Sequence, residues 1–467
     1  MEELIKKNEK SSQKISRRDF ITKSSAAAAA FMIVPRYVLG GPGYTAPSDK
    51  INIAAIGVGG KGRSDIAAVA TENIVALCDV DDVKIFDTIK RAGEWAEEKG
   101  LSENPLTKVP RYKDFREMLD KQKDIDAVTV STPDHFHAVA AITAIKQGKH
   151  AFVQKPLTYS VDEAQKLSAA AKKAGVVTQM GNQGHAGEGI RLIGEWLKDD
   201  AIGEVREVHC WTNRPIWDTG MNRPAEIPSV PPTLDWNQWI GPAPFRPYHP
   251  DYAPWSWRAW CDFGTGALGD MGAHIFDIPY HTLKMDHPTS VFASSSKFNG
   301  ESWPVASTIY YEFPQRGSLP PVKLTWYDGG IMPSRPEGIE PGRRMGDGDG
   351  GIMFYGDKGM IMCGCYGRNP RLVPETSMKE YQRPPKTLSR SPGIHEEWVQ
   401  CIKESKQASS NFDYAARLTS TMLLGNIAIR MAPRSTKLEW DGIAGKFTNM
   451  DEANDYLGRE YRDGWNL

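Results

Sequence analysis

Ile51-Asn52-Ile53-Ala54-Ala55-Ile56-Gly57-Val58-Gly59-Gly60-Lys61-Gly62 is the stretch that decides the fold. The run from 51 to 56 is short, apolar and closed by glycine, the pattern of a strand buried on both faces of a parallel sheet. Gly57 permits a tight turn and Gly59 lets the backbone approach a pyrophosphate. Gly62 allows the next helix, read from Arg63 to Ala70, to pack closely on the strand. The free N–H groups that open such a helix attract phosphate. A lone G-x-G-x-x-G is weak, but its surroundings strengthen it. A second apolar run, Ile74 to Cys78, ends at Asp79, 22 residues after Gly57. A carboxylate there accepts hydrogen bonds from ribose hydroxyls and repels a 2′-phosphate, which favours NAD over NADP.

The alternation continues outward. Helical stretches fall near 83–99, 113–121, 134–147 and 161–174, and strand-like runs at 126–130, 150–153 and 176–180. This predicts an α/β fold with a doubly wound parallel sheet over residues 50–180, whose ligands bind at the carboxyl ends of the strands. Two polar groups stand at such ends: Ser131-Thr132-Pro133-Asp134-His135-Phe136-His137 and Gln154-Lys155-Pro156.

With Gly269-Asp270-Met271-Gly272-Ala273-His274-Ile275-Phe276-Asp277 added, four motifs stand in an order that resembles the Gfo/Idh/MocA family, the glucose–fructose oxidoreductase and inositol dehydrogenase type. The resemblance covers about residues 50–440. It implies a Rossmann domain followed by an α+β domain with a large, mostly antiparallel sheet. It also implies hydride transfer between a nicotinamide and, usually, a sugar or polyol carbon. The residues expected at the cofactor are Gly57, Gly59, Gly60, Gly62, Asp79, Ser131, Thr132, Pro133, His137, Gln154 and Lys155. One departure stands out: the family's usual Glu-Lys-Pro reads Gln154-Lys155-Pro156, which removes a carboxylate beside the lysine.

Oxidising a carbinol needs a base for the hydroxyl proton and a group that steadies the developing alkoxide. Lys155 lies at a strand end. Asp270 and His274 are four residues apart and share one helix face, with Asp277 and His281 following roughly along it. By resemblance Lys155, Asp270 and His274 form the catalytic set, and either Lys155 or His274 is the principal base. Two other readings of the cluster stay open: Asp270, His274 and His281 as metal ligands, or His274 as a satisfied core histidine.

Seven of the 14 tryptophans lie between 211 and 260. Aromatic faces suit sugar rings, although Trp236 and Trp239 read better as core. Trp257, Arg258, Asn182, Gln183 and His185 are the expected substrate contacts. Residues 329–351 are glycine-rich with no apolar period, a loop expected to act as a lid or an oligomer contact. The run from His395 to Met431 reads as one helix, and 436–467 as a short return strand and a tail.

The chain has 467 residues and a formal net charge of −1, which leaves no basic footprint for nucleic acid. Its six cysteines show no zinc or disulfide spacing; Cys363-x-Cys365 reads as small residues in a turn, with metal or redox chemistry the alternative. Ser16-Arg17-Arg18-Asp19-Phe20-Ile21-Thr22-Lys23 before the apolar run Ala26–Val34 resembles a twin-arginine export signal. The run is too short to span a hydrocarbon core of ~30 Å, so no stable membrane span is expected after processing; no clean A-x-A cleavage site follows, which leaves a retained membrane anchor as the alternative. The expected organisation is a signal at 1–34, a linker at 35–49, the NAD-binding domain at 50–180, the substrate domain at 181–440 and a tail at 441–467. A periplasmic enzyme has no obvious pool of soluble NAD, so the cofactor is expected to be held tightly or regenerated within each cycle. A homo-oligomer is a further implication of the resemblance. Three functions compete: a sugar, polyol or glycoside oxidoreductase; a redox-neutral glycosidase or lyase; and a non-catalytic sugar-binding sensor.

Overall fold

The strand that ends in the glycine turn, β1 (Asn52–Ile56), lies inside a six-stranded sheet. The computed structural model describes residues 49–98 and 103–467, so the expected signal and almost all of the expected linker lie outside the described residues. From β1 the chain alternates through α1 (Gly60–Ala68), β2 (Asn73–Cys78), α2 (Asp82–Glu98), β3 (Arg111–Tyr112), α3 (Phe115–Lys121), β4 (Ala127–Val130), α4 (Asp134–Lys146), β5 (His150–Val153), α5 (Val161–Ala174) and β6 (Thr178–Met180). The strand order is β3-β2-β1-β4-β5-β6, and every pairing is parallel. β3 is only two residues long, too short for a periodicity reading to find.

Local chemistry sets the helix ends. Ser160 and Glu163 form a reciprocal capping box that opens α5, and Gly175, at φ +68°, closes it in the left-handed region. Asp114 caps α3 through the Arg116 N–H. α4 is apolar nearly all round and buried nearly all round, because it is covered on both sides.

Beyond β6 come α6 (Glu188–Lys198), β7 (Val205–Thr212), α7 (Trp236–Ile240), α8 (Gly266–Ile275) and α9 (Asp277–Thr282). Next are β8 (Ser290–Ser295), β9 (Ser307–Phe313), β10 (Val322–Tyr327), β11 (Gly350–Gly356), β12 (Met360–Gly364) and β13 (Arg371–Val373). The chain finishes with α10 (Glu375–Glu380), α11 (Ile394–Glu404), α12 (Phe412–Met431), β14 (Leu438–Asp441), β15 (Lys446–Phe447) and α13 (Asp451–Asn454). The strands form a nine-stranded sheet, β13-β12-β11-β7-β10-β9-β8-β14-β15. It is antiparallel except where β10 runs parallel to β7. The class is therefore α/β, a Rossmann sheet joined to a large mixed sheet.

Two expectations change. The run expected as a single helix from 395 to 431 is α11 and α12, separated at Ser405, which takes φ +53°. The break lets the intervening segment cross the end of β6, where buried Ser410 bonds Gln179 and Asn182. The C-terminal segment is not a free tail. Trp465 packs against Phe136 at a ring-centroid distance of 5.3 Å, and Arg459 pairs with buried Glu163 at 2.7 Å. No helix among the described residues is long and apolar enough to cross a membrane.

Candidate active site

The glycine turn is built for close approach. Gly57 takes φ +79°, and a Cβ there would lie 2.8 Å from the Ser131 backbone. A Cβ on Gly62 would lie 1.9 Å from the Gly57 carbonyl oxygen, so α1 can sit this near β1 only with glycine at that position. Asp79 braces the turn: its Oδ2 accepts from the Val58 N–H at 2.9 Å and its Oδ1 from the Asp81 N–H at 3.0 Å. Burial raises the Asp79 carboxyl above its ordinary range against the pull of those N–H groups.

A cavity of about 430 Å³ runs along the carboxyl ends of these strands. Every expected cofactor residue lines it except Gly62 and His137. Gly62 packs beneath the turn. His137 is buried, and its ring nitrogens bridge the Pro156 and Thr132 carbonyls, each at 2.8 Å. Burial holds the imidazole below its ordinary value, and a neutral ring donates to one of these carbonyls at a time; the side chain ties two strand-end segments together and does not line the cavity. Ser131 and Gln154 line the cavity, but the Ser131 hydroxyl and the Gln154 amide nitrogen donate to Asp65.

Thr132 Oγ1, on the wall of this cavity, is buried without a hydrogen-bond partner among the described residues, as are Asn182 Nδ2 and His274 Nδ1, which line neither this cavity nor a second one around Gln183 and Tyr366. Buried polar groups are nearly always paired, so the Thr132 hydroxyl at the cavity wall is left free for a ligand. The bare glycine turn, the carboxylate at the end of β2 and the free Thr132 hydroxyl fit a dinucleotide.

Lys155 leaves the end of β5 and reaches α8. Its Nζ donates to the Asp270 carbonyl and to Asp270 Oδ1, both at 2.7 Å. Arg258 Nε approaches the same Oδ1 at 3.3 Å, its guanidinium lying 4.1 Å from the Trp257 ring centroid. Burial favours the neutral form of Asp270, but Lys155 and then Arg258 outweigh it and hold the carboxyl below its ordinary range. His274, one turn on, is 3% exposed. Burial first, and then the Lys155 cation, hold its imidazole well below its ordinary value. α8 itself is anchored to α4, because Asp134 Oδ2 accepts from the Thr265 N–H at 3.0 Å and its hydroxyl at 2.6 Å.

The expected substrate residues separate. Trp257 and Arg258 line the first cavity. Gln183 lines a second cavity of about 660 Å³ with Tyr366 and Arg368. Asn182 is fully buried and accepts from the Ser410 hydroxyl at 2.8 Å, leaving its amide nitrogen free. His185 lies behind the site and lines neither cavity. Its Nδ1 is taken by Asp277 at 3.0 Å, and Tyr414 OH donates to the same carboxylate at 2.6 Å. Trp236 and Trp239 stack at 4.7 Å in an aromatic cluster with Tyr252, Trp260 and Phe263, while Trp211 joins a different cluster. Cys363 and Cys365 are buried free thiols, and burial pushes both upward. No group of three His, Cys, Asp or Glu suited to a metal occurs among the described residues.

Sequence reading missed Tyr366, Lys61, Asp65 and His395. Tyr366 stands over the His274 ring at 4.5 Å with φ +63°, a left-handed conformation costly for tyrosine. No periodicity announces it; its neighbour Gly367 was the only local hint of a special turn.

Residues 51–182 match a family model described as an oxidoreductase family with an NAD-binding Rossmann fold, and residues 204–313 match that family's C-terminal α/β domain. The chain is similar to a glycosyl hydrolase family 109 protein of Solibacter usitatus, 34% identical over 26% of this chain and 27% of the relative. It is also similar to levoglucosan dehydrogenase of Pseudarthrobacter phenanthrenivorans, 26% identical over 35% of this chain and 34% of that protein. These matches span about a quarter to a third of the relatives' lengths. A solved levoglucosan dehydrogenase, in complex with NADH and L-sorbose, shares the fold with a TM-score of 0.52 and 18% identity, covering 83% of this chain and 98% of that one.

Proposed function

Because the chain belongs to the Gfo/Idh/MocA family of NAD-binding oxidoreductases, we propose that it oxidises or reduces a carbinol carbon of a sugar, polyol or glycoside, with Lys155, Asp270 and His274 as the reacting set. The observation that carries this reading is the Lys155–Asp270 pair at 2.7 Å beside an imidazole whose Nδ1 has no partner. Bound NAD supplies the hydride acceptor or donor. Gly57, Gly59 and Gly60 hold its phosphates, Asp79 holds its ribose hydroxyls and selects against a 2′-phosphate, and Thr132 meets it with an unpaired hydroxyl. Lys155 has a third N–H beyond the two given to Asp270, and this donates to the substrate oxygen as charge develops there. His274 is neutral and takes the hydroxyl proton, which makes it the principal base. Arg258, flat on Trp257, holds a neighbouring hydroxyl.

The relatives named as family 109 glycosyl hydrolases favour a second reading, cleavage of a glycosidic bond with no net redox change. One experiment separates the two. Protein incubated with NAD and an aryl glycoside accumulates NADH under the first reading and releases aglycone without NADH under the second. Failure of the purified protein to bind or retain NAD would overturn both. Export by the twin-arginine route to the periplasm, with the cofactor carried inside the folded protein, and assembly as a homo-oligomer belong to the same proposal. Cell fractionation of the wild type and of an Arg17→Lys/Arg18→Lys variant tests the export.

A further inference from the structure

Behind the glycine turn lies a buried carboxylate that the reacting set does not use. Asp65 of α1 has no exposed surface. Four side chains close on it from four places: Lys61 Nζ at 3.0 Å on the same helix, Ser131 Oγ at 2.8 Å after β4, Gln154 Nε2 at 3.0 and 2.9 Å after β5, and His395 Nε2 at 2.9 Å on α11. His395 is itself stacked on Phe152 of β5 at 4.6 Å. A carboxylate out of water is tolerated only when it is paired and hydrogen-bonded, and both oxygens of Asp65 are. Burial opposes its charge, but the His395 hydrogen bond and the Lys61 cation outweigh that, so Asp65 stays ionised below its ordinary range.

This arrangement explains residue 154. A glutamate there would meet Asp65 head-on, and two carboxylates in contact in a buried site cannot both ionise. Gln154 instead donates to both Asp65 oxygens, so one negative charge serves both positions and sits on the helix side. Lys61 carries that charge's influence outward. It lines the first cavity, and its Nζ reaches the Gln183 amide oxygen at 3.1 Å in the amide orientation that satisfies both Gln183 atoms. Lys61 therefore stands between the cofactor space and the second cavity, with Asp65 as its tether.

We propose that Asp65 is the positioning residue of the cofactor pocket: it supplies from α1 the carboxylate that residue 154 lacks, and it fixes Lys61 where the cofactor and substrate spaces meet. The proposal rests on reading the first cavity as the NAD site. Its consequence is that the charge of the 65/154 pair is exchangeable while its loss or doubling is not.

NAD affinity of the full chain, measured by calorimetry with melting temperature alongside, tests this. Asp65→Asn and Gln154→Glu each weaken NAD binding about tenfold, the worth of one charged buried hydrogen bond. The exchanged double variant, Asp65→Asn with Gln154→Glu, returns to within about threefold of wild type, because the charge is restored one side chain away. Lys61→Gln, at a half-exposed position that does not endanger folding, weakens binding alone and makes Asp65→Asn nearly silent when the two are combined. If Asp65→Asn fails to fold, the exchanged variant must recover both folding and NAD affinity. An exchanged variant no better than the single variants, or losses from Lys61→Gln and Asp65→Asn that simply multiply, overturns the proposal. A wild type that does not bind NAD overturns the cavity assignment instead.

Discussion

Two successive helices carry the same spacing of an acid and a histidine: Asp270 and His274 on α8, Asp277 and His281 on α9. Their surroundings differ in kind. Asp270 draws two cations, Lys155 and Arg258, which themselves line the first cavity, and its histidine keeps a ring nitrogen unpaired. Asp277 is fully buried and is satisfied by the His185 ring and the Tyr414 hydroxyl, with the His281 ring against His185 at 4.9 Å. Spacing sets which side chains share a helix face. What that face looks onto, and whether hydrogen-bonding capacity is left over, decides whether the pair does chemistry or holds the fold.

The sharpest way to break this comparison is Lys155→Met. It lowers kcat about 10³-fold with NAD still bound, as expected if it removes the group that steadies the alkoxide, and it lowers the melting temperature only modestly because Arg258 stays beside Asp270. Equal losses of kcat and stability would put Lys155 with the structural pair. His274→Asn comes next, lowering kcat about 10²-fold at unchanged NAD affinity. Asp277→Ala sharpens the contrast from the other side. It strands the His185 and Tyr414 donors and costs about 2 kcal/mol in urea unfolding, while kcat stays within about threefold. A large loss of kcat there would erase the distinction between the helices.

The smallest effect is in pH. A base must be neutral to accept a proton. Burial and then Lys155 lower the His274 pKa from its ordinary 6.5, so the neutral form persists to lower pH. The acid limb of the kcat/KM profile should therefore fall below pH 6.5, with activity lost only as pH drops through the lowered value. A limb above 6.5 would mean that His274 is solvated or is not the base.

The Rossmann sheet was legible because its signals are local. β1 is an unbroken apolar run, the glycine turn demands glycine for steric reasons, and Asp79 follows at the distance one strand and one helix require. The mixed sheet was read only through a family resemblance. Its strands pair across long separations, such as β7 with β10 and β11, and local periodicity does not encode partners. His185 and His137 follow closely on strand ends, where exposure to ligand is the natural expectation. The fold instead spends them on Asp277 and on two backbone carbonyls.

By itself the sequence determined the dinucleotide turn, the acid that follows it and the residue types of the proposed reacting set, since each depends on backbone geometry or chemistry within one or two elements. Only the tertiary structure decided which of two identical acid–histidine spacings meets the Lys155 and Arg258 cations, that the Tyr366 ring lies against His274, and that Gln154 donates to a buried carboxylate on α1. Those outcomes depend on which groups from distant segments reach a buried charge first, and a low-dielectric interior leaves no charge unanswered.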